Sequence, residues 1–267
     1  MIKKIFVLSL ALSISLFGDI NKHKLDQLKI GALIVKDLNT KNILYSKYAE
    51  KRVSPASLTK VMTALLAIQS GRMNQRVTIT RAMLKVKPTI AGYKRGDVVL
   101  MSDLVRAAMI KSDNDAAKAI AIAIGGGDEK KFIAMMNYKA KQLGMNHTHF
   151  TNPCGFDEKK HYSSPNDLLK MAEYAIKNPT FNTISNQSSH TYHVLRKGKL
   201  TSFTAYTHNR LLHKYQYAVG VKTGYTSKAG ACLIARAKKD GQDCLIVMMN
   251  SKEDRWKTAK AIFQQVI

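Results

Sequence analysis

The sequence contains little cysteine, which limits the disulfide bonds that the protein can form. Only three cysteines, Cys154, Cys232 and Cys244, occur among its 267 residues, so they cannot all pair with one another. A compartment that permits disulfides would allow one bridge. However, Cys232 and Cys244 lie on a predicted hairpin whose turn, "KKDG", does not place them opposite each other. We therefore expect three small buried thiols.

The sequence also lacks the histidine spacing of a zinc peptidase. The segment "HTH" at His147–His149 supplies two imidazoles, but no third ligand follows at the spacing of a metal site. No His-Glu-x-x-His motif is present. We therefore predict that the protein uses neither a metal nor another cofactor.

Long apolar runs are confined to the first residues. The segment "MIKKIFVLSLALSISLFG", residues 1–18, has a short basic start, an apolar run and then small residues, which is the pattern of a secretory signal peptide. The run is short for a membrane-spanning helix. Cleavage is expected after Ser15 or Gly18, and an uncleaved anchor is the alternative. We predict an exported protein that works in the periplasm or otherwise outside the cytoplasmic membrane.

Acidic residues are scarce relative to basic ones. The chain has 18 acidic against 43 basic residues, a net charge of +25. Such a field attracts polyanions. The basic residues are scattered singly, without a dense run that carries interleaved aromatic residues, and together with the predicted export this argues against nucleic acid as a partner. A solvated basic surface is the simplest interpretation, and an anionic membrane or cell-wall surface is the specific partner that remains.

Hydrophobic patterning predicts strands at both ends of the chain and helices between them. The predicted strands span residues 30–37, 42–48, 230–237 and 242–250. A helix from about Glu253 closes the chain. This order favours an α/β (α+β) fold with an antiparallel sheet, in which the N-terminal hairpin pairs beside the C-terminal strands. Helices would cover the sheet, and a helical lobe would be inserted in the middle. Residues 19–267 would form this single domain.

Start and stop signals divide the middle of the chain into several helices. A serine precedes three of the predicted helices and glycine ends two of them. The predicted caps are Ser54, Ser102 and Ser164, and the predicted stops are Gly125–Gly127 and Gly144. The helix that ends at Gly125–Gly127 begins near Asp115. No internal repeat or low-complexity linker interrupts this pattern.

The segment "SPASLTKVMTALLAI" has two interpretations. In the first, Ser54 caps the helix, Pro55 takes its first position and Lys60 extends to solvent. In the second, Lys60 reaches the hydroxyl of Ser57, because residues three apart are neighbours on a helix, and acts as its base. Serine-x-x-lysine alone does not decide between them.

Two further motifs support the chemical interpretation. The segment "KSDNDAA" places Ser112 and Asn114 in the break between two helices, and "VGVKTGYTSKAG" places Lys222–Gly224 at the end of a strand. Each motif alone is weak, since both are common in turns and caps. Together and in this order, however, they are the three motifs of β-lactamases and penicillin-binding proteins.

Nearly all of the chain after the signal segment resembles one such family, the low-molecular-mass penicillin-binding proteins, which are serine D-alanyl-D-alanine carboxypeptidases. The resemblance extends over "RVSPASLTKVMTA", "GMNHTHFTNPCGFD", "HYSSPNDLLKMA", "GVKTGYTSKAG" and "SKEDRWKTA". It implies a β-lactamase/transpeptidase-like fold. Members with a C-terminal β-domain and an amphipathic anchoring tail continue well beyond the point that matches Ile267. We therefore expect neither feature here.

The resemblance implies a catalytic role for three side chains. Ser57 would be the nucleophile and Lys60 its general base, since burial and the nearby cation Lys222 would lower the pKa of the lysine. Ser112 would relay a proton towards the leaving amine. Asn114 would hold the substrate backbone and orient Lys60.

It also implies a set of substrate-binding groups. Lys222 and Thr223 would hold the terminal carboxylate of the substrate, with Arg255 nearby. Gly224 would let the strand edge approach the substrate closely. The backbone N–H groups of Ser57 and Tyr225 would form the oxyanion hole, a contribution of roughly 3 kcal/mol in comparable sites.

The implied reaction is removal of the last D-alanine from peptidoglycan stem pentapeptides, with β-lactams as covalent inhibitors. A D,D-endopeptidase that cuts crosslinks has the same motifs, so it is the first alternative. A class A β-lactamase is less consistent with the sequence, because no Glu-x-x-Leu-Asn segment lies between Asn114 and Lys222. A non-catalytic wall-binding protein is the last alternative, and the presence of every reactive side chain argues against it.

Overall fold

The computed structural model describes residues 20–267, so the predicted signal peptide lies outside the described residues. The strands are β1 (Ile30–Asp37), β2 (Ile43–Lys47), β3 (Arg76–Thr78), β4 (Val98–Leu100), β5 (Ser189–Arg196), β6 (Lys199–Tyr206), β7 (Ala218–Thr226), β8 (Gly230–Lys239) and β9 (Gln242–Ser251). The helices are α1 (Lys22–Asp26), α2 (Lys60–Gln69), α3 (Met101–Ile110), α4 (Asn114–Ile124), α5 (Glu129–Gln142), α6 (Pro165–Ala175), α7 (Pro179–Ser185), α8 (Leu211–Lys214) and α9 (Arg255–Val266). A 3₁₀ turn at Ala56–Thr59 leads into α2.

The main sheet joins the two ends of the chain. Its five strands have the order β2-β1-β9-β8-β7, and neighbouring strands are antiparallel. The N-terminal hairpin therefore lies beside the C-terminal strands, with Ala32 opposite Met249. This confirms the predicted fold class and the predicted pairing of the two ends.

Alternate residues of the central strands enter two separate apolar cores, because successive side chains of a strand point to opposite faces. On one face Ile34 and Val247 pack with the core that contains α2, α3 and α4. On the other face Leu33 and Ile246 pack with Phe263 and the rest of the buried side of α9. The sheet thus forms a layer between the helical lobe and the terminal helix, and within residues 20–267 β7 is one of its two edge strands.

A second sheet, of order β3-β4-β5-β6, is missing from the sequence-based prediction. The prediction of one sheet with a purely helical lobe was therefore incomplete. The long hairpin β5–β6 exposes most of its side chains, and in β5 only Tyr192 and Val194 are buried. With so few apolar positions, the period-2 pattern that identifies a strand is weak here.

Some predicted helix ends are confirmed and others are wrong. The hydroxyl of Ser164 accepts a hydrogen bond from the N–H of Asp167, so it caps α6 as predicted. Ser102 lies inside α3, which begins one residue earlier, and so it is not the cap. Ser54 does not cap its helix either, since its hydroxyl donates instead to Asp157 Oδ1 at 2.5 Å.

The cysteine prediction is confirmed. All three thiols are free and buried. Cys232 lies opposite Gly224 and Cys244 lies opposite Ala237, so the two cysteines of the hairpin do not face each other. Between residues 20 and 267, no helix has both the length and the apolar character that crossing a membrane requires.

Candidate active site

One cleft, of about 1690 Å³, brings together the residues of the three sequence motifs. Seven of the predicted site residues line it: Ser57, Ser112, Asn114, Thr223, Gly224, Tyr225 and Arg255. The other two, Lys60 and Lys222, are 0% and 1% exposed and contact the cleft-lining hydroxyls of Ser57 and Ser112. The structure therefore places all nine predicted residues at one site, although they come from four separate parts of the chain.

The ammonium group of Lys60 has three oxygen neighbours. Its Nζ lies 2.7 Å from Asn114 Oδ1, 2.7 Å from the carbonyl oxygen of Cys154 and 2.9 Å from Ser57 Oγ. The first two neighbours can only accept hydrogen bonds, whereas a hydroxyl can also donate. A neutral lysine would thus donate both N–H groups to Asn114 and Cys154 and point its lone pair at the Ser57 hydroxyl.

Burial makes this neutral form accessible. It lowers the pKa of Lys60 to about 8, against smaller opposing effects of Cys154 and Asp113. Lys60 does not extend to solvent, so the first interpretation of the serine-x-x-lysine segment is wrong.

The break between α3 and α4 carries the second motif. Ser112 has a φ of 70° at this break, which separates the end of α3 from the start of α4. Asn114 then begins α4, and its side chain connects two parts of the site. Its Oδ1 accepts a hydrogen bond from Lys60, and its Nδ2 donates to the carbonyl oxygen of Lys87 at 2.9 Å. Asn114 thus fixes the position of Lys60 relative to the loop that forms one wall of the cleft.

Lys222 connects Ser112 with strand β7 through two hydrogen bonds. Its Nζ donates to Ser112 Oγ at 3.0 Å and to the carbonyl oxygen of Thr223 at 3.1 Å. Burial, followed by the positive charges of Lys60 and Arg255, lowers the pKa of Lys222 well below its ordinary value. The positive charge of Lys60 therefore disfavours a charge on Lys222, whereas burial is what lowers the pKa of Lys60.

Strand β7 comes very close to the turn that carries the nucleophile. A Cβ atom on Gly224 would lie 3.1 Å from both the Ser57 nitrogen and Ala56 Cβ, closer than most side chains allow. Glycine is therefore needed for this approach. Thr223 is buried and Tyr225 is largely exposed on either side of it.

Arg255 is the first residue of α9 and borders the same strand. Its Nη1 donates to the carbonyl oxygens of Gly224 at 2.6 Å and Cys232 at 3.0 Å, and its guanidinium lies over the ring of Trp256. These contacts hold a positive charge beside β7 at the edge of the cleft.

Sequence reasoning missed several groups of the site. The carbonyl oxygen of Cys154 contacts Lys60, and Gly155, with a φ of 90°, packs directly against Ala56. The loop of residues 85–89 lines the cleft. The "NPCGFD" segment matched the family pattern, but nothing in its letters indicated a contact with Lys60.

The histidines of the "HTH" segment separate in the structure. His147 Nδ1 lies 2.7 Å from Glu50 Oε2 and, with Asp167, forms a group of three side chains close enough to share a metal ion. The backbone N–H of His147 donates to Asp167 Oδ2, and the ammonium of Lys170 lies 3.6 Å from Asp167 Oδ1. Existing hydrogen bonds and ion pairs thus account for this group, in which His149 has no part. The absence of a metal stays a prediction.

The three motifs that meet in this cleft are those that β-lactamases and penicillin-binding proteins share. Residues 20–253 match the family model described as D-alanyl-D-alanine carboxypeptidase, and the chain belongs to this family. It is 34% identical to the D-alanyl-D-alanine carboxypeptidase of Streptomyces sp. strain K15, over 79% of this chain and 77% of that protein. It is 33% identical to D-alanyl-D-alanine carboxypeptidase DacF of Bacillus subtilis, over 87% of this chain but only 59% of that protein.

Solved structures give the same result. The crystal structure of the Streptomyces K15 DD-transpeptidase matches with a TM-score of 0.85 and 31% identity, over 89% of this chain and 97% of that one. The D-alanyl-D-alanine carboxypeptidase of Mycobacterium tuberculosis H37Rv matches with a TM-score of 0.81 and 28% identity, over 89% of this chain and 90% of that one. The likeness to both structures therefore covers nearly nine tenths of this chain.

Proposed function

We propose that this protein is a serine D-alanyl-D-alanine carboxypeptidase that removes the last D-alanine from peptidoglycan stem pentapeptides. The observation that carries the proposal is the buried amine of Lys60, 2.9 Å from the hydroxyl of Ser57 and held there by two acceptors. Family membership supports the substrate class.

Acylation begins with proton transfer. The Ser57 hydroxyl gives its proton to Lys60 Nζ while Oγ forms a bond to the carbonyl carbon of the penultimate D-alanine. Charge then develops on the carbonyl oxygen, where the N–H groups of Ser57 and Tyr225 would stabilise it. The close approach of Gly224 to the Ser57 nitrogen supports this placement, since it brings β7 alongside the turn.

The leaving group needs a proton before the C–N bond breaks. Ser112 is well placed to pass one, because its hydroxyl lines the cleft and is held by Lys222. Once Lys60 has returned its proton to the leaving nitrogen through Ser112, D-alanine leaves as the neutral amine, Lys60 is neutral again, and the peptide remains as an ester on Ser57. Water then attacks the ester and passes a proton to Lys60, which returns it to Ser57 Oγ as the bond to the shortened peptide breaks.

Carboxylate recognition would select the end of the stem peptide. The hydroxyl of Thr223 and the guanidinium of Arg255 line the cleft beside β7, and Lys222 lies buried next to Thr223. A β-lactam carries a carboxylate and a strained carbonyl in a similar arrangement, so we expect it to acylate Ser57.

A D,D-endopeptidase is the second candidate. The cleft is large compared with a single D-alanine, and its lining extends from Lys85 to Trp256. A cleft of this size can hold a crosslinked peptide, which would make it an additional substrate.

Two parallel incubations distinguish the carboxypeptidase from the endopeptidase. The purified protein is mixed with a stem pentapeptide and, separately, with a crosslinked dimer, and free D-alanine and monomer are measured. The carboxypeptidase proposal predicts release of D-alanine at a rate well above cleavage of the dimer, with Ser57→Ala inactive on both. Faster cleavage of the dimer would favour the endopeptidase.

We also propose that the protein acts after export and near anionic surfaces of the membrane or cell wall. The N-terminal segment of residues 1–18 and the net charge of +25 support this. Fractionation of cells and sedimentation with anionic vesicles or wall fragments at low and high salt test the two parts separately. Binding that persists unchanged in high salt would contradict the electrostatic part.

A further inference from the structure

We propose that His161 is a positioning residue for acylation, which acts through Thr59 on the turn that presents Ser57. The inference rests on the proposed function, because it concerns the geometry of the same nucleophile. His161 is 3% exposed and lies outside the three sequence motifs. It contacts neither Ser57 nor Lys60 through any hydrogen bond of the described structure.

A chain of three hydrogen bonds connects His161 to the turn. The backbone N–H of Thr151 lies 3.0 Å from His161 Nδ1, and His161 Nε2 lies 2.9 Å from Thr59 Oγ1. The Thr59 hydroxyl in turn donates to the carbonyl oxygen of Ala56 at 2.9 Å. Thr59 and Ala56 are both completely buried.

The donor and the acceptor of each hydrogen bond in this series follow from the first donor, the backbone N–H of Thr151. The Thr151 N–H can only donate, so Nδ1 must be the acceptor and the imidazole proton must be on Nε2. This N–H donates to the oxygen of Thr59, which leaves the hydroxyl hydrogen of Thr59 free for the Ala56 carbonyl. The neutral imidazole is thus the form that completes the chain.

This series of hydrogen bonds ends at Ala56, whose backbone conformation is constrained. Ala56 has a φ of 48°, in the left-handed region that alanine rarely adopts. Such a residue persists only where its surroundings fix it. Its carbonyl is held by Thr59 on one side and packed against Gly155 on the other, where a Cβ atom would lie 1.8 Å from it.

The peptide bond after Ala56 carries the N–H of Ser57. Rotation of the Ala56 carbonyl therefore rotates this N–H, which is a proposed donor to the oxyanion. Loss of the His161–Thr59 contact should lower the rate of acylation, because charge on the substrate oxygen develops only in the transition state. Binding of the substrate before reaction depends on other groups and should change little.

The surroundings of His161 keep it neutral. Burial lowers its pKa to about 4; the charges of His149 and Lys60 act in the same direction, and Asp157 opposes them. Protonation would put a hydrogen on Nδ1, directly opposite the Thr151 N–H. The acylation rate should therefore fall when His161 is protonated. This loss adds to the loss caused by protonation of Lys60.

Two substitutions of His161 separate its two contacts. His161→Gln can place an amide N–H where Nε2 lies and so keep the contact with Thr59. His161→Asn is shorter, so it can accept from Thr151 but does not reach Thr59. We measure the acylation rate constant and the pre-acylation dissociation constant with a chromogenic β-lactam, and the melting temperature of each variant. His193→Asn, at an exposed histidine of β5 that has no part in this series of bonds, is the control.

We expect His161→Asn to lower the acylation rate constant about tenfold or more. The dissociation constant should stay within about twofold, and His161→Gln should recover most of the rate, because only it restores the donor to Thr59. Thr59→Val should resemble His161→Asn, and Thr59→Ser should resemble the wild type. The double variant Thr59→Val with His161→Asn should lose little more of the acylation rate than either single variant, because both substitutions interrupt the same series of hydrogen bonds.

The proposal is overturned if His161→Asn acylates at the rate of the wild type, or if the Gln and Asn variants lose rate equally. It is also overturned if the loss lies in the dissociation constant. If the His161 variants do not fold, equal rates for Thr59→Val and Thr59→Ser would overturn it instead. Failure of the proposed function is a different result, in which the wild type itself forms no covalent adduct.

Discussion

Lys60 Nζ lies 2.7 Å from Asn114 Oδ1, and both side chains are buried. A neutral amide accepts a hydrogen bond from the lysine without adding a charge that would favour its protonated form. Asn114 can therefore hold the amine in place while leaving its pKa low enough for a general base.

This relationship predicts the pH dependence of acylation and how one substitution changes it. Only neutral Lys60 can accept the Ser57 proton, so the acylation rate should rise with pH and level off above about 8, the pKa to which burial lowers this lysine. Asn114→Asp puts a carboxylate against the ammonium, raises the pKa of Lys60 and should move the profile to higher pH. Acylation rates measured from pH 5 to 10 check both.

The control for this experiment is Asn178→Asp. Asn178 caps α7, and aspartate is an equally good cap, so this variant should keep the wild-type profile. If the pH profile of acylation is the same in Asn114→Asp as in the wild type, Asn114 does not influence the pKa of Lys60.

Removal of the Lys60 amine should abolish most of the acylation. Lys60→Ala leaves Ser57 without a base, and we expect a loss on the order of 10²–10⁴-fold. Lys60→Arg should not recover the rate, because a guanidinium stays protonated. Both rates are measured by labelling with a fluorescent penicillin, and melting temperatures establish that the variants are folded. A folded Lys60→Ala variant with nearly normal labelling would contradict the role of Lys60.

Gly155 should tolerate no side chain. In Gly155→Ala the new Cβ would lie 1.8 Å from the carbonyl oxygen of Ala56, so the turn before Ser57 must move. We expect the free energy of unfolding to fall by about 3 kcal/mol or more, together with loss of acylation. Chemical denaturation and penicillin labelling measure the two effects.

Gly144→Ala isolates the contribution of backbone strain. Gly144 also has a positive φ, of 66°, but a Cβ there meets no heavy atom within 4 Å. This variant should lose only about 1–2 kcal/mol and should acylate normally. Equal losses for the two variants would show that the contact with Ala56 is unimportant.

A free carboxylate at the end of the substrate should be required for efficient cleavage. A charged hydrogen bond to a carboxylate contributes roughly 1.5–3 kcal/mol. Amidation of the C-terminus should therefore lower kcat/KM by about one to two orders of magnitude. Thr223→Val should lower cleavage of the acid much more than cleavage of the amide. Equal kcat/KM values for acid and amide would contradict carboxylate recognition and favour the endopeptidase.

The sequence was sufficient to predict those features of the site and the fold that depend on residues close together in the chain. Ser57 and Lys60 are three residues apart, and the glycine stops of α4 and α5 and the serine cap of α6 depend on neighbouring residues alone. The pairing of β1 with β9 was also predictable, because strongly apolar strands at both ends of the chain need a common core.

The contacts that complete the site depend on tertiary packing. The carbonyl oxygen of Cys154 reaches Lys60, and His161 reaches Thr59, across about a hundred residues of sequence. Neither contact leaves a short-range pattern, since a backbone carbonyl can belong to any residue. The hydroxyl of Ser54 similarly prefers Asp157 to the helix that it precedes, which no local rule indicates.

The central claim is that Ser57 is the residue that becomes acylated, and mass spectrometry of the penicillin-treated protein tests it most directly. The intact mass should increase by one penicillin, and peptide mapping should place the adduct on Ser57. Ser57→Ala, folded to the same extent, should show no adduct. An adduct on another residue, or undiminished labelling of Ser57→Ala, would contradict the account.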